Sequence, residues 1–377
     1  ATNAGENPEE TSTTGPEVGE QPTAQPTLPQ EELNFARDEV PSTSAIAESR
    51  ERLRQIYSDE IADADSDTKK QALGNKLLQM AKEITDKPAD AIVLTKKAED
   101  LAVESADSKL LVSAVDQHVG RFEVDPYEEN MEALLAFIAG TASREPESLD
   151  TDEFMRRAVR VISAAISEDD YLRASNLARH CAQYTAKKSN DELRSKFNRL
   201  RGLLGGANNA FSDAKEHLLT YRINPDDSQA GSKFGQFLCF YKGDWVNGLP
   251  LLKLSSNADL AGLAEADLKG GNTAEDYVAL GDAWWQMSRR AAGVYRQGAQ
   301  DRAVYWYGRA FPIMPQSLDR MHVKHQLQEA EKDDSSSPIA VTQEIAQELK
   351  VDLGSSLAAI AAGIHLNKRG RRGDDRD

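Results

Sequence analysis

From Ser49 onward, apolar residues recur every three or four positions. Leu53, Ile56, Tyr57 and Ile61 form one stripe, and Leu73, Leu77, Leu78, Met80, Ala81 and Ile84 form the next. That spacing puts them on one face of an α-helix. Pro88 interrupts the pattern, because proline inside a helix loses a hydrogen bond and clashes with the preceding turn. Ile92, Leu94, Ala98, Leu101 and Ala102 then resume it. Asp107 is placed to cap a helix bearing Leu110, Leu111, Ala114, Val115, His118 and Phe122. Asp125-Pro126 sets proline at a helix start, ahead of Met131, Leu134, Leu135 and Ile138. Amphipathic helices joined by short polar turns read as antiparallel hairpins stacked in sequence.

The polar stretch TASREPESLDT, Thr141 to Thr151, marks a boundary, after which Phe154, Ala158, Val161, Ile162 and Ala165 restart the helical spacing. Little of the chain reads as strand. Gly205-Gly206 and Gly270-Gly271 read as helix ends. The stretch Ala274–Pro315 is densest in aromatic residues and reads as two helices joined by a loop. A tetratricopeptide unit is about 34 residues long, with two helices that cross at small side chains and a proline near its end. Leu280-Gly281 and Trp284 fit its first helix, and Ala303, Tyr307, Ala310 and Pro315 fit the second. The fit needs extra residues between the helices, around Ala291 to Gln300. An earlier unit, Phe234-Gly235, Leu238, Lys242-Gly243-Asp244-Trp245, Gly248 and Leu252, is one residue out of register. Ala174, Ala178 and Cys181 are a weaker echo, as are Ala214, Leu218 and Tyr221, followed by a turn at Asn224-Pro225-Asp226-Asp227. The expectation is an all-α chain whose antiparallel hairpins stack as a tetratricopeptide-like α-solenoid. Residues 1–47 are a Pro/Thr/Glu-rich linker, 48–142 an N-terminal hairpin region, 150–330 the repeat domain, and 331–377 a linker, a C-terminal capping or docking helix and a basic tail.

The phrases NPDDSQAGSKFGQFLCFYKGDWVNGLPLL, LGDAWW and RAVYWYGRAF resemble a module of many uncharacterised planctomycete proteins. The upstream RERLRQIYSDEIADADSDTKKQALGNKLLQMAKE resembles the segment that usually precedes it. Together they span residues 50–330. Proteins with this module are typically exported, and some combine it with lectin-like or sulfatase-modifying-type domains. The resemblance implies a helical-repeat fold and an exported, periplasmic or envelope-associated setting, with the cytoplasm as the alternative. It brings no catalytic residues.

Composition narrows the partners. A net charge of −17 argues against a nucleic-acid ligand, which needs a positive surface to displace counterions. No apolar run is long enough for a transmembrane helix. The leader carries Pro8, Pro16, Pro22, Pro26, Pro29 and Pro41 among Thr, Glu and Gln, with no Lys or Arg before Arg37. It reads as an unfolded tether, with a signal peptide or membrane anchor expected upstream of Ala1; an ordinary frayed terminus is the alternative. Cys181 and Cys239 sit among apolar helix residues, outside any C-x-x-C pair, and read as small buried hydrophobes.

No Walker-type loop, G-x-S-x-G or G-x-G-x-x-G occurs, and no cofactor or metal is expected. His322 and His325 are three apart on one helix with no third ligand in sequence, which falls short of a metal set. His118 lies on an apolar stripe and reads as a satisfied core residue. Lys242-Gly243-Asp244 reads as a turn in which Asp244 caps the next helix. Asp169-Asp170, Asp226-Asp227 and Asp333-Asp334 fall in turns rather than across a cleft. Adjacent aromatics such as Trp284 and Trp285 diverge by about 100° on a helix, so some must pack inward and others lie at an edge. Trp245, Trp285, Tyr305 and Trp306 are the candidate ligand-binding surface. A non-catalytic scaffold for a protein or peptide partner is the expectation. The alternative is carbohydrate binding or processing, using the same rings with Asp244, Asp282 or Asp301. Val341 to Leu366 reads as a helix or two before the basic tail NKRGRRGDDRD. It caps the last repeat, meets a partner or membrane surface, or stays disordered.

Overall fold

Side-chain caps start many of the helices, among them the one expected at Asp107. Asp107 accepts hydrogen bonds from the Lys109 and Leu110 amides, and Asp125 does the same for Tyr127 and Glu128 ahead of Pro126. Pro88 opens a helix as its first residue, where its missing N–H leaves no bond unmade. A computed structural model describes residues 37–144, 149–187, 190–330, 337–355 and Leu357. They belong to a compact unit that begins at Phe35; residues 1–34 are a separate unit outside the described residues. The Pro/Thr/Glu-rich leader, Asp333-Asp334 and the basic tail therefore lie outside them.

Among the described residues the protein is all-helical, with fifteen α-helices and no strand. They are α1 (Thr43–Asp63), α2 (Asp67–Glu83), α3 (Pro88–Glu104), α4 (Ser108–Arg121), α5 (Pro126–Thr141), α6 (Asp152–Ser167), α7 (Tyr171–Lys187) and α8 (Asp191–Ile223). After these come α9 (Ser228–Phe237), α10 (Trp245–Leu252), α11 (Ala258–Lys269), α12 (Ala274–Arg290), α13 (Gly293–Ala310), α14 (Leu318–Ala330) and α15 (Pro338–Glu348). Helices adjacent in sequence pack in pairs: α2 on α3, α7 on α8, α9 on α10 and α12 on α13.

Two large apolar cores hold this unit, with a small satellite cluster at Ala91, Ile92 and Phe122. The first runs from Leu53 to Leu238 and takes in α15; the second runs from Cys239 to Val323. The polar stretch after α5 does not divide the first core, since Phe137 stacks on Phe154 across it at 5.4 Å. The cores meet at a π-helical turn, Leu238–Lys242, which continues α9. Tyr241 in this turn touches both. A π-turn adds one residue to a helix. The turn lies within the stretch whose spacing reads as one residue out of register.

The structure revises further expectations. Gly205-Gly206 does not end a helix: both glycines lie within the 33-residue α8. The extra residues from Ala291 do not form a loop. Only Ala291 and Ala292 separate α12 from α13, and the rest lengthen α13 at its start. Packing explains the helix there, because Gly298 lies against Phe240 of the π-turn and Tyr295 meets the Phe240 ring at 5.1 Å. The C-terminal helix ends at Glu348, just before Lys350 takes φ 56°, and residues beyond Leu357 lie outside the described residues. It docks on α6 and α8, in the first core, and not on the last hairpin.

Candidate interaction surface

The α12/α13 hairpin begins with a capping box at Thr273 and Asp276, each side chain accepting from the other's amide. The helices cross where Gly281 faces Tyr307. A Cβ on residue 281 would lie 2.5 Å from Tyr307 Cε1, so glycine is required by the closeness of the approach. Ala303, Tyr307 and Ala310 are fully buried at this crossing, as the repeat spacing implies.

Most of the aromatic cluster serves the interior. Trp284 is fully buried, and its indole N–H donates to Asp267 Oδ2 at 2.6 Å. Trp306 is 5% exposed and donates to the same oxygen at 2.9 Å. Arg302 closes the knot with two hydrogen bonds to the Asp267 carboxylate, at 2.8 and 2.5 Å. Asp267 is therefore a buried charge with a countercharge and two neutral donors, the arrangement that makes such burial tolerable. No motif in the sequence singles out Asp267. Its signal is position: Leu260, Ala264 and Asp267 share one buried stripe of α11, and a carboxylate on an apolar stripe needs partners.

These contacts divide the four candidate aromatics. Trp306 is turned inward and offers no outer face, because its N–H is committed to Asp267. Trp245 is half-buried, edge-on to Trp284 at 5.1 Å, with the Arg302 guanidinium 5.1 Å from its ring centre. Tyr305 is 40% exposed, but Arg302 lies 4.4 Å over its ring and Arg309 donates to its hydroxyl. Trp285 is half-buried at the outer edge, tilted against Tyr307.

Beside Trp285 lies a polar group that brings three helices together. Asp282 Oδ1 of α12 accepts from the Tyr307 hydroxyl of α13 at 2.7 Å and sits 2.9 Å from His322 Nε2 of α14. Burial, together with the Asp282 carboxylate, pushes the Tyr307 phenol far above its ordinary value, so it remains a donor. Asp282 and His322 stay open to solvent, at 39% and 44% side-chain exposure. Spacing alone offered His322 no carboxylate partner; the fold supplies one forty residues away in sequence. His325 instead lies 3.8 Å from Glu329. Val278, Asp282 and Trp285 share one stripe of α12, and the exposed Leu318 and Met321 flank His322 on α14.

Elsewhere, Lys242-Gly243-Asp244 is a turn, with Gly243 at φ 68° and Asp244 capping α10. Asp301 accepts from Gln297. Asp169 and Asp170 hold the α6–α7 corner, accepting from Tyr171 and Tyr127 respectively. Both cysteines are buried free thiols, pushed up by burial. His118 is buried as expected but not satisfied: its Nδ1 has no hydrogen-bond partner. It belongs to a cluster with Lys96, Glu99 and Glu129. Lys96 bridges Glu99 at 3.1 Å and Glu129 at 2.6 Å, and His118 Nε2 lies 3.8 Å from Glu129. Burial raises the Glu99 carboxyl to about 7, within the range of a general acid. Lys96 occupies the space between the two carboxylates, however, so a substrate would have to displace it. Among the described residues no three His, Cys, Asp or Glu side chains are arranged to hold a metal ion, and no helix is long and apolar enough to cross a membrane.

No family model, no curated protein and no solved structure matches this chain.

Proposed function

We propose that the protein is a non-catalytic interaction scaffold, a tetratricopeptide-like α-solenoid that binds a peptide segment of a protein partner on the face shared by α12 and α14. The observation that carries this reading is the Asp282–His322 pair, solvent-open and beside the half-buried Trp285. A fixed carboxylate next to an aromatic edge and exposed Leu318 and Met321 suits a peptide with one basic and one apolar side chain. Helical repeats recognise ligands on such stripes because stacking leaves one helix face uncovered. A glycan ligand has less support. Sugar stacking needs free ring faces, and Arg302 covers Tyr305 while Trp306 is buried. The planctomycete resemblance and the Pro/Thr/Glu-rich leader support an exported or envelope-associated setting, which fractionation of source cells tests.

Trp285→Ala and Asp282→Asn should keep the helical circular dichroism and lose the protein partners that the wild-type chain captures from its own cells. Trp306→Ala, which strips a donor from Asp267, should lower the melting temperature. Retention of every partner by the Trp285 and Asp282 variants would sink the reading.

A further inference from the structure

Helix α15 has its packing partners far from its place in sequence. The helix before it, α14, packs on α13 in the second core, whereas α15 lies against α6 and α8 in the first. Contacts run from α6 to α7, α7 to α8, α8 to α15 and α15 back to α6. This ring is a four-helix bundle, and α15 is the member that closes it. Its buried stripe, Val341, Thr342, Ile345 and Ala346, fills the seam between α6 and α8.

Charge fixes its register. Glu344 pairs with Arg199 at 2.5 Å and Glu348 with Lys196 at 2.7 Å, both bases lying on α8. Lys196 also holds Glu192. Arg160 of α6 donates to the Asp352 carbonyl just past the helix. An apolar stripe flanked by two acids one turn apart thus meets an apolar seam flanked by two bases. All the recognition chemistry on the ligand side lies in one short segment. That segment is joined to α14 by residues 331–337 alone, a connection that can span at most roughly 25 Å.

We propose that the seam between α6 and α8 is a receptor for an acidic amphipathic helix, and that α15 of a second copy of this chain can occupy it, giving a reciprocally exchanged dimer. Nothing in the contact set depends on α15 belonging to the same chain. A vacated seam would expose the apolar floor of the first core, so it favours refilling by the same helix from another copy. Within one chain the tether gives α15 a high effective concentration, so the closed monomer dominates in dilute solution and exchange requires local opening.

Charge-swap complementation tests this on the full chain. One copy carries K196E and R199E, and the other carries E344K and E348K. In each, the ion pairs at the seam become repulsions, so each alone should be monomeric with a lowered melting temperature. Mixed, the acidic seam of the first accepts the basic α15 of the second, and the basic seam accepts the acidic α15. The expected result is a 1:1 dimer by light scattering and a melting temperature restored to wild type. The single chain with all four substitutions should be a wild-type-like monomer, which shows that the reversed pairing folds. A mixture that remains monomeric, with both melting temperatures unchanged while the fourfold variant is stable, overturns the proposal. A fourfold variant as unstable as either half also overturns it, because the ion pairs would then not be what positions α15.

Discussion

Asp267 has almost no freedom to change. Its carboxylate is fully buried and serves Arg302, Trp284 and Trp306 together. Asp267→Asn keeps the shape but leaves the Arg302 guanidinium without its countercharge, and breaking a buried pair in this way costs about 3–5 kcal/mol. Chemical denaturation should show a loss of that size. A loss below about 1 kcal/mol would put the pair among solvent-screened surface bridges. Glu99 and His118 present a different case, because they pull in opposite directions with pH. Burial raises Glu99 from its ordinary 4.5 to about 7, so its contribution is full below pH 4.5 and gone above 7. Burial, with Lys96 nearby, lowers His118 from 6.5 to about 4, so its contribution is full above pH 6.5 and is lost as pH falls through 4. Between pH 4.5 and 6.5 the two slopes oppose each other. Glu99→Gln should expose the His118 slope, and stability should then rise with pH across that window more steeply than in wild type. Parallel stability–pH curves for the two proteins would show that Glu99 does not titrate this way. Neither residue's role was legible in the sequence. Spacing places each on its helix, but desolvation depends on which other helices close over it.

Helices were the most legible level. Caps at Asp107 and Asp244 and the proline at 126 mark helix starts through local chemistry, and the structure keeps them, while Pro88, which breaks the apolar pattern, proves to open α3. The small residues at the α12/α13 crossing were also readable, since close approach of two helices tolerates little else. Legibility failed where long-range packing overrode local preference. Glycine disfavours helix interiors, so Gly205-Gly206 looked like an end, yet α8 runs through it because Phe197, Leu200, Leu204 and Ala207 are anchored in the first core. A methyl group at Gly202, Gly205 or Gly206 would meet nothing within 4 Å. Gly205→Ala and Gly206→Ala should therefore each stabilise the protein by about 0.5–1 kcal/mol, through helix propensity alone. Thermal melts showing no gain would mean that α8 relies on bending at these glycines. The candidate rings were half legible for a related reason. Adjacent aromatics had to diverge, but only the position of Asp267 decides that Trp306 turns in and Trp285 stays at the edge.

At the scale of the molecule, two cores share one chain and meet at the π-turn. The sequence marked the polar stretch after α5 as the boundary, because composition registers loops but not the apolar contacts that reach past them. The same blindness hid the destination of α15, whose own stripe was readable while its seam was not. The closure of the first core by α15 has a consequence for synthesis. A ribosome must make the whole of the second core before the helix that seals the first one emerges. Until then the seam between α6 and α8 is a nascent surface open to chaperones. Proteolytic loss of α15 should likewise injure a region more than a hundred residues upstream while sparing its nearest neighbour in sequence. Hydrogen exchange on a chain clipped between α14 and α15 should show faster exchange in α6 and α8, with α12 and α13 unchanged.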